Sequence, residues 1–266
     1  MTSLDGYVRV DVEDGELWLA EGFADTAAEF GLSERSRWES LIAAGEAGGR
    51  GKIAFIENSG RSVVLKQLRR GGVAAPLWRD RFPSRERLMG NLSIPCRARE
   101  RGVATPAALA LLVVGGPPGL WRGWLAIEAV LAARDMRRRV LESPPTAAEW
   151  VEVLSVARLL HDAGIEHPDL NLGNLLVDEA GRGWVVDLDG CTAHPDPLDV
   201  DCRVDAIRRI ERSYRKICFL NDRVADPTID WPATYAPGDT GLAERWEQRK
   251  ARDGAKLNRH RRTWRR

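Results

Sequence analysis

The stretch His167-Pro168-Asp169-Leu170-Asn171-Leu172-Gly173-Asn174-Leu175-Leu176-Val177-Asp178, continued by Gly181-Arg182-Gly183-Trp184-Val185-Val186-Asp187-Leu188-Asp189-Gly190, constrains this chain of 266 residues more than any other. Two short apolar runs, Leu175 to Val177 and Trp184 to Val186, flank a turn-forming Asp-Glu-Ala-Gly-Arg-Gly segment. That is the pattern of a β-hairpin buried on at least one face. Antiparallel strands lie side by side, so the residue before the first and the residue after the second emerge at one edge. Asn174 and Asp187 are therefore expected to face one site, with Asp169 on the loop leading into it.

An amide oxygen and a carboxylate converging on one point are hard donors suited to Mg²⁺, which takes few protein ligands and completes its shell with water and phosphate. Asp169, five residues before Asn174, is placed to accept a proton from an attacking hydroxyl. His-x-Asp-x-x-x-x-Asn followed by an Asp after an apolar strand is the phosphoryl-transfer layout of protein-kinase-like enzymes. The alternative is a polar hairpin whose Asp and Asn only cap turns.

Taken whole, His-Pro-Asp-Leu-Asn-Leu-Gly-Asn-Leu-Leu-Val-Asp with Val-Val-Asp-Leu-Asp resembles the lipopolysaccharide kinase family, in particular the 3-deoxy-D-manno-octulosonic acid (Kdo) kinases. The resemblance implies an α+β, bilobal protein-kinase-like fold with an antiparallel β small lobe and a mainly helical large lobe. It implies ATP and Mg²⁺, a catalytic Asp169, metal ligands Asn174 and Asp187, and as acceptor the 4-hydroxyl of Kdo on a lipid A precursor. The segment departs from protein kinases in that Pro168 replaces an Arg, Asn171 a Lys and Asp189 the Gly of Asp-Phe-Gly, and no Ala-Pro-Glu follows. A regulated protein kinase is disfavoured.

Upstream, Gly48-Gly49-Arg50-Gly51 stands directly before the apolar run Ile53 to Ile56. Such glycines let backbone N–H groups approach an anion, which suits a loop over nucleotide phosphates, although glycine clusters also serve as plain turns. After Asn58-Ser59-Gly60-Arg61, the run Ser62 to Leu68 places Lys66 among apolar residues. Lys66 either snorkels to solvent or, as the resemblance implies, grips the α- and β-phosphates with Glu86 of the helical-looking Ser84 to Leu92 as its partner. Arg85 and Arg87 keep open the reading of Glu86 as a solvated helix charge. Trp124 to Glu128 reads as a strand leading into Ala129-Val130-Leu131, the hinge implied by the resemblance, where the main chain at Glu128 and Val130 would meet adenine. The lobes are accordingly expected at 1–128 and 129–266.

Elsewhere the chain opens with an expected hairpin, Tyr7 to Val12 and Glu16 to Ala20 about Asp14-Gly15. Thr146 and Glu149 form a capping box for a buried helix ending near Gly164, which delivers His161 and the catalytic loop. His161 and His167 read as structural hydrogen-bonders. An Arg-rich helix over about Asp201 to Leu220 is expected to bury Val204, Ile207, Ile210 and Tyr214, with Arg203, Arg208, Arg212 and Arg215 outward.

The formal net charge of +1 hides an asymmetry: residues 245–266 hold ten Lys or Arg against Glu247 and Asp253. With Trp246 and Trp264 this tail fits an anionic membrane surface or nucleic acid. The lipid-linked acceptor implied by the resemblance favours peripheral contact with the cytoplasmic face of the inner membrane and no nucleic acid. No signal peptide or apolar stretch of membrane-spanning length is expected, and Cys96, Cys191, Cys202 and Cys218 form no Cys-x-x-Cys pair, so reduced thiols in the cytosol are expected. The rivals are a kinase of the same fold acting on a heptose, an aminoglycoside or choline, and a non-catalytic scaffold. A scaffold has no chemical need for Lys66, Asp169, Asn174 and Asp187 together.

Overall fold

The computed structural model describes residues 4–13, 15–48, 51–58, 60–69, 80–116 and 119–261. The chain divides into two compact units, one of residues 1–97 and 106–131, the other of residues 98–105 and 132–266. The division falls after Leu131, three residues beyond the expected boundary, and assigns the short segment 98–105 to the second unit.

The first unit is built on one antiparallel sheet. Its strands are β1 (Tyr7–Val12), β2 (Gly15–Ala20), β3 (Glu46–Gly48), β4 (Gly51–Asn58), β5 (Arg61–Gln67), β6 (Ala108–Gly116) and β7 (Leu120–Glu128), in the order β1-β2-β6-β7-β5-β4-β3. The opening hairpin is present, with Val12 opposite Gly15. It forms one edge of the sheet, where Val8 and Val10 are exposed.

Helices cover both faces. On one side α1 (Ala24–Glu29) and α2 (Arg35–Ala44) pack Ala27, Trp38 and Ile42 against Leu17, Leu65, Leu112 and Trp124. The fully buried Trp38 donates its indole N–H to the Leu32 carbonyl at 2.7 Å, which satisfies its polar end inside the core. On the other side α3 (Arg85–Glu100) packs Leu88 and Leu92 against Trp18, Leu68, Leu111, Val113 and Leu125. Burial on both faces explains why Ala110 to Val114 is apolar without alternation, since neither face of β6 meets water.

The second unit is mainly helical, with α4 (Met136–Glu142), α5 (Ala147–Asp162), α6 (Val200–Leu220), α7 (Trp231–Tyr235) and α8 (Thr240–Arg261). Short strands join them: β8 (Arg134–Asp135), β9 (Ile165–Glu166), β10 (Leu175–Val177), β11 (Gly183–Val185) and β12 (Thr192–Ala193). The capping box of α5 is formed in both directions, the Glu149 N–H donating to Thr146 Oγ1 at 3.2 Å and the Thr146 N–H to Glu149 Oε2 at 2.6 Å. Arg139 adds a charged partner to the same carboxylate at 2.5 Å. Gly183 explains how tightly α5 seats on the hairpin, because a Cβ there would stand 2.6 Å from the Glu152 carbonyl oxygen.

The Arg-rich helix α6 buries Val204, Ile207, Ile210 and Tyr214 as expected, but Arg208 lies inward too. Its guanidinium stacks 5.4 Å from the Trp246 ring centroid, so its stem and charge are both covered by α8. Nor is the tail a free basic arm through its first half. Leu242 and Trp246 are buried, Arg245 grips Asp201 through two hydrogen bonds of 2.5 and 2.7 Å, and Arg249 reaches Asp205 at 2.9 Å. Trp264 lies outside the described residues.

Candidate active site

Asp169, Asn174 and Asp187 are brought together in the second unit by the hairpin read from the sequence. β10 and β11 pair Leu175 with Val185, and the Val186 N–H donates to the Asn174 carbonyl at 2.9 Å, extending the ladder one step beyond the strands. Asp187 is thus the first residue past the last paired position on one strand, and Asn174 sits at that position on the other.

The loop before β10 folds around the main-chain carbonyl of Asp169. Asn174 Nδ2 donates to it at 2.8 Å and Asn171 Nδ2 at 3.0 Å, while Asn171 also donates to Asp169 Oδ1 at 3.0 Å. Asn171 Oδ1 in turn accepts the Gly173 N–H at 2.8 Å, starting the 3₁₀ turn Leu172–Asn174. With Nδ2 of Asn174 turned onto the loop, its oxygen, the end a cation takes, points away from it. Leu170 and Leu172 are fully buried and anchor the loop, leaving the Asp169 carboxylate on the exposed side.

His167 ties this loop to the strand before Asp187. Its Nδ1 accepts the Asp169 N–H at 3.2 Å and its Nε2 lies 3.3 Å from the Val186 carbonyl. Those two partners fix the neutral tautomer with hydrogen on Nε2. Burial pushes the ring's pKa below its usual value, against the opposing pull of the Val186 carbonyl and the Asp187 and Asp169 carboxylates. His167 is therefore an architectural clasp, as the sequence reading expected.

Asp187 has φ +59°, a left-handed conformation that non-glycine residues rarely adopt and that costs roughly 1–3 kcal/mol where the surroundings impose it. No apolar burial accounts for an exposed carboxylate being held there. Nearby, Cys191 is buried, and burial together with the Asp187 and Asp189 charges pushes its thiol far above the usual range. It is an inert packing residue rather than a nucleophile.

Two positioning contacts come from α6 and were not foreseen. Arg209 Nη1 donates to the His167 carbonyl at 3.0 Å, and the Leu172 N–H donates to Ser213 Oγ at 3.3 Å. In the sequence Arg209 is one basic residue of a row, and only the helix's phase against the loop separates it from its neighbours.

Among the described residues there is no group of three or more His, Cys, Asp or Glu fit to hold a metal by themselves. One amide oxygen and one carboxylate at a hairpin edge fit an ion that takes its remaining ligands from water and phosphate.

The other expected site residues belong to the first unit. Gly48 and Gly51 pair across the β3–β4 turn, and Gly49 lies outside the described residues. Lys66, half-buried on β5, pairs across to Leu125 and so stands on the α3 side of the sheet. Glu86 is exposed in the first turn of α3, where Ser84 Oγ donates to it at 2.7 Å and holds its pKa low. That is the geometry of a solvated first-turn charge. At the expected hinge, the N–H groups of Glu128 and Ala129 bond within the unit to the carbonyls of Ala107 and Ser62, each at 2.9 Å. The Glu128 carboxylate accepts from the Ala107 N–H at 3.4 Å, so its side chain turns back to the protein and Val130 follows as the first half-buried residue beyond these bonds.

The model of the lipopolysaccharide kinase (Kdo/WaaP) family matches residues 37–232. A 3-deoxy-D-manno-octulosonic acid kinase of Stenotrophomonas maltophilia (strain K279a) is 30% identical over 167 residues, covering 61% of this chain and 66% of the relative, just under two thirds of its length. One of Vibrio parahaemolyticus is 25% identical over 206 residues, covering 75% of this chain and 84% of the relative. Among solved structures, WaaP in complex with acyl carrier protein superposes with a TM-score of 0.55 at 19% identity, covering 89% of this chain and 98% of that one, a likeness of fold. With the family model matched over residues 37–232, most of the chain, the chain belongs to the lipopolysaccharide kinase (Kdo/WaaP) family.

Proposed function

We propose that this protein uses ATP to phosphorylate a sugar hydroxyl, the 4-hydroxyl of Kdo on a lipid A precursor. The observation that carries the reading is the clasped edge at which an exposed Asp169 carboxylate, an outward Asn174 amide oxygen and a strained Asp187 share one loop-and-hairpin unit. Asn174 and Asp187 would hold Mg²⁺, which when bound neutralises charge on the β- and γ-phosphates. Asp169 orients the acceptor hydroxyl and takes its proton, His167 and Arg209 fix the loop that carries it, and Lys66 holds the nucleotide phosphates. Adenine would lie against the main chain from Glu128 to Val130, and the Gly48 to Gly51 turn over the phosphates. Phosphoryl transfer asks mainly for position and charge compensation, which this arrangement supplies without a covalent intermediate.

The relatives named as Kdo kinases support the acceptor. A lipid-linked acceptor would place the reaction at an anionic membrane surface, on the cytoplasmic side where ATP is found. The segment from Lys256 to Arg266 carries six Lys or Arg residues, which such a surface would attract, and no helix among the described residues is long and apolar enough to cross it. The test is transfer from labelled ATP, with and without Mg²⁺, to a panel of Kdo-lipid, heptose-lipid, aminoglycoside and choline. Transfer to the Kdo-lipid alone is the expected result. Transfer only to another alcohol keeps the mechanism and refutes the acceptor, and failure on all of them refutes the enzyme.

A further inference from the structure

Arg212 of α6 is exposed, and among the described residues neither it nor Lys216, about one turn further on, has a hydrogen bond or an ion pair. The residues three and four places from Arg212 along the helix are Arg208, Arg209, Arg215 and Lys216, all of them cations. Three of these are engaged: Arg208 stacks on Trp246, Arg209 donates to the His167 carbonyl at 3.0 Å, and Arg215 pairs with Glu211 at 2.7 Å. Like charges at this spacing repel one another and weaken a helix. The stability of α6 therefore gives no reason for Arg212 and Lys216.

The contacts of α6 show where the two lie. α8 runs alongside it in the same direction, Asp201 facing Arg245 at 2.5 Å and Asp205 facing Arg249 at 2.9 Å, the partners 44 residues apart in each case. One heptad after Asp205, and so on the same flank of the helix, the next place in this ladder holds Arg212 instead of an acid. The matching place on α8 is position 256, a lysine in the sequence, so the acid–base pairing ends there. On its neighbouring flank α6 holds the loop that carries Asp169. Arg209 reaches His167, two residues before Asp169, and Ser213 accepts the Leu172 N–H, three residues after it. Arg212 and Lys216 therefore border that loop on the side toward α8, each within one turn of Ser213.

We infer that Arg212, assisted by Lys216, binds the anionic group of the acceptor, the carboxylate of the sugar acid. A planar guanidinium meets a carboxylate through two parallel hydrogen bonds, which fix direction as well as supplying charge, and a flexible ammonium nearby adds attraction. A sugar seated in this way is held at its acid end while a hydroxyl is presented to Asp169, and uncharged alcohols receive no such grip. The inference rests on the proposed acceptor, and the experiment separates the two.

Transfer from ATP is followed at varied acceptor and varied ATP, with a soluble Kdo glycoside and its carboxamide, for the wild type, Arg212→Gln, Arg212→Lys and Lys216→Gln. Arg212→Gln should raise KM for the glycoside about tenfold or more, as loss of charged hydrogen bonds does, without raising KM for ATP. Arg212→Lys should recover part of that loss, and Lys216→Gln should show a smaller rise. The wild type should show a comparable rise with the carboxamide, and the two losses should not multiply when Arg212→Gln meets the carboxamide. Both Gln variants should melt no lower than the wild type, because each removes a repulsion. An unchanged KM for the glycoside in Arg212→Gln, or losses that multiply, would overturn the inference, and a lowered melting temperature would make the pair structural. A loss confined to vesicle-embedded acceptor would overturn it in favour of lipid headgroups, and a loss confined to ATP in favour of the nucleotide. A wild type inactive on every Kdo acceptor would instead refute the proposed acceptor, and the inference with it.

Discussion

Asp187→Gly should make the protein more stable and inactive. The residue is exposed and held at φ +59°, so its replacement removes little buried surface. Releasing a side chain from the left-handed region returns roughly 1–3 kcal/mol, less for an Asp, which tolerates that region better than most residues. Glycine gives back about 0.5–1 kcal/mol through its larger unfolded-state entropy. The expected net gain is about 1 kcal/mol, a rise in melting temperature of roughly 2–4 °C for a chain of this size. Activity should fall by orders of magnitude, because a fixed charge is removed from the point where phosphate charge must be balanced. Asp187→Asn, which suits the same backbone, should match the wild type in stability and the Gly variant in inactivity. Urea unfolding and transfer of labelled phosphate measure the two properties separately. A Gly variant less stable than wild type would mean that the carboxylate is there to hold the fold, and near-normal turnover in either variant would refute the metal role.

Asp169→Asn should bind ATP and acceptor normally yet lose kcat, since an amide accepts a hydrogen bond but is a very poor base; single-turnover transfer, with binding checked apart, tests it. Arg209→Leu should lower kcat by about tenfold while leaving the melting temperature within a few degrees, because it frees the His167 carbonyl at 3.0 Å without emptying a core; a collapse of stability would make Arg209 a folding residue instead. His161 is fully buried, with its Nδ1 2.8 Å from the Tyr235 hydroxyl and its pKa lowered by burial to about 3. The unfolded chain therefore takes up this proton first as pH falls below about 6.5, so the ring's contribution is intact above that pH and stability drains away between there and pH 3. His161→Gln should flatten that slope in urea unfolding at stepped pH. Deleting residues 253–266 should cost transfer to a vesicle-embedded acceptor in a salt-sensitive way and spare a soluble analogue, whereas cutting before Trp246 should unfold the second unit.

The segment that forms the candidate site was legible because its information is local. A hairpin's two ends share an edge whatever surrounds it, so the spacing of Asn174 and Asp187 carried its own geometry. The capping box of α5 and the buried stripe of α6 were legible for the same reason, each set by a period or a pair within a few residues. What failed needed a partner far along the chain. Arg208 was expected outward because α6 alone cannot show that Trp246 covers it. The exposure of Glu86 in the first turn of α3, where it bonds to Ser84, was likewise hidden, because which face of α3 is covered depends on where Leu88 meets Gly123, thirty-five residues later. β3 was missed because Glu46-Ala47-Gly48 has no strand pattern of its own and is ordered by pairing with β4. The strain at Asp187 has no sequence signal at all.

The strand order of the first unit bears on how the chain is made. β2 and β5 each pair with one neighbour close in sequence, but their other partners are β6 and β7, which come only at residues 108–128. A nascent chain that has emerged as far as β5 therefore carries two separate ribbons, each with an open edge and with Leu17 and Leu19 or Val63 and Leu65 uncovered. Open apolar edges of that kind recruit other chains. Translation at about 5–20 residues per second leaves them unmatched for several seconds. The β6–β7 hairpin then closes the sheet in one step by inserting between them, so substitutions that slow its formation should reduce the yield of folded protein more than its final stability.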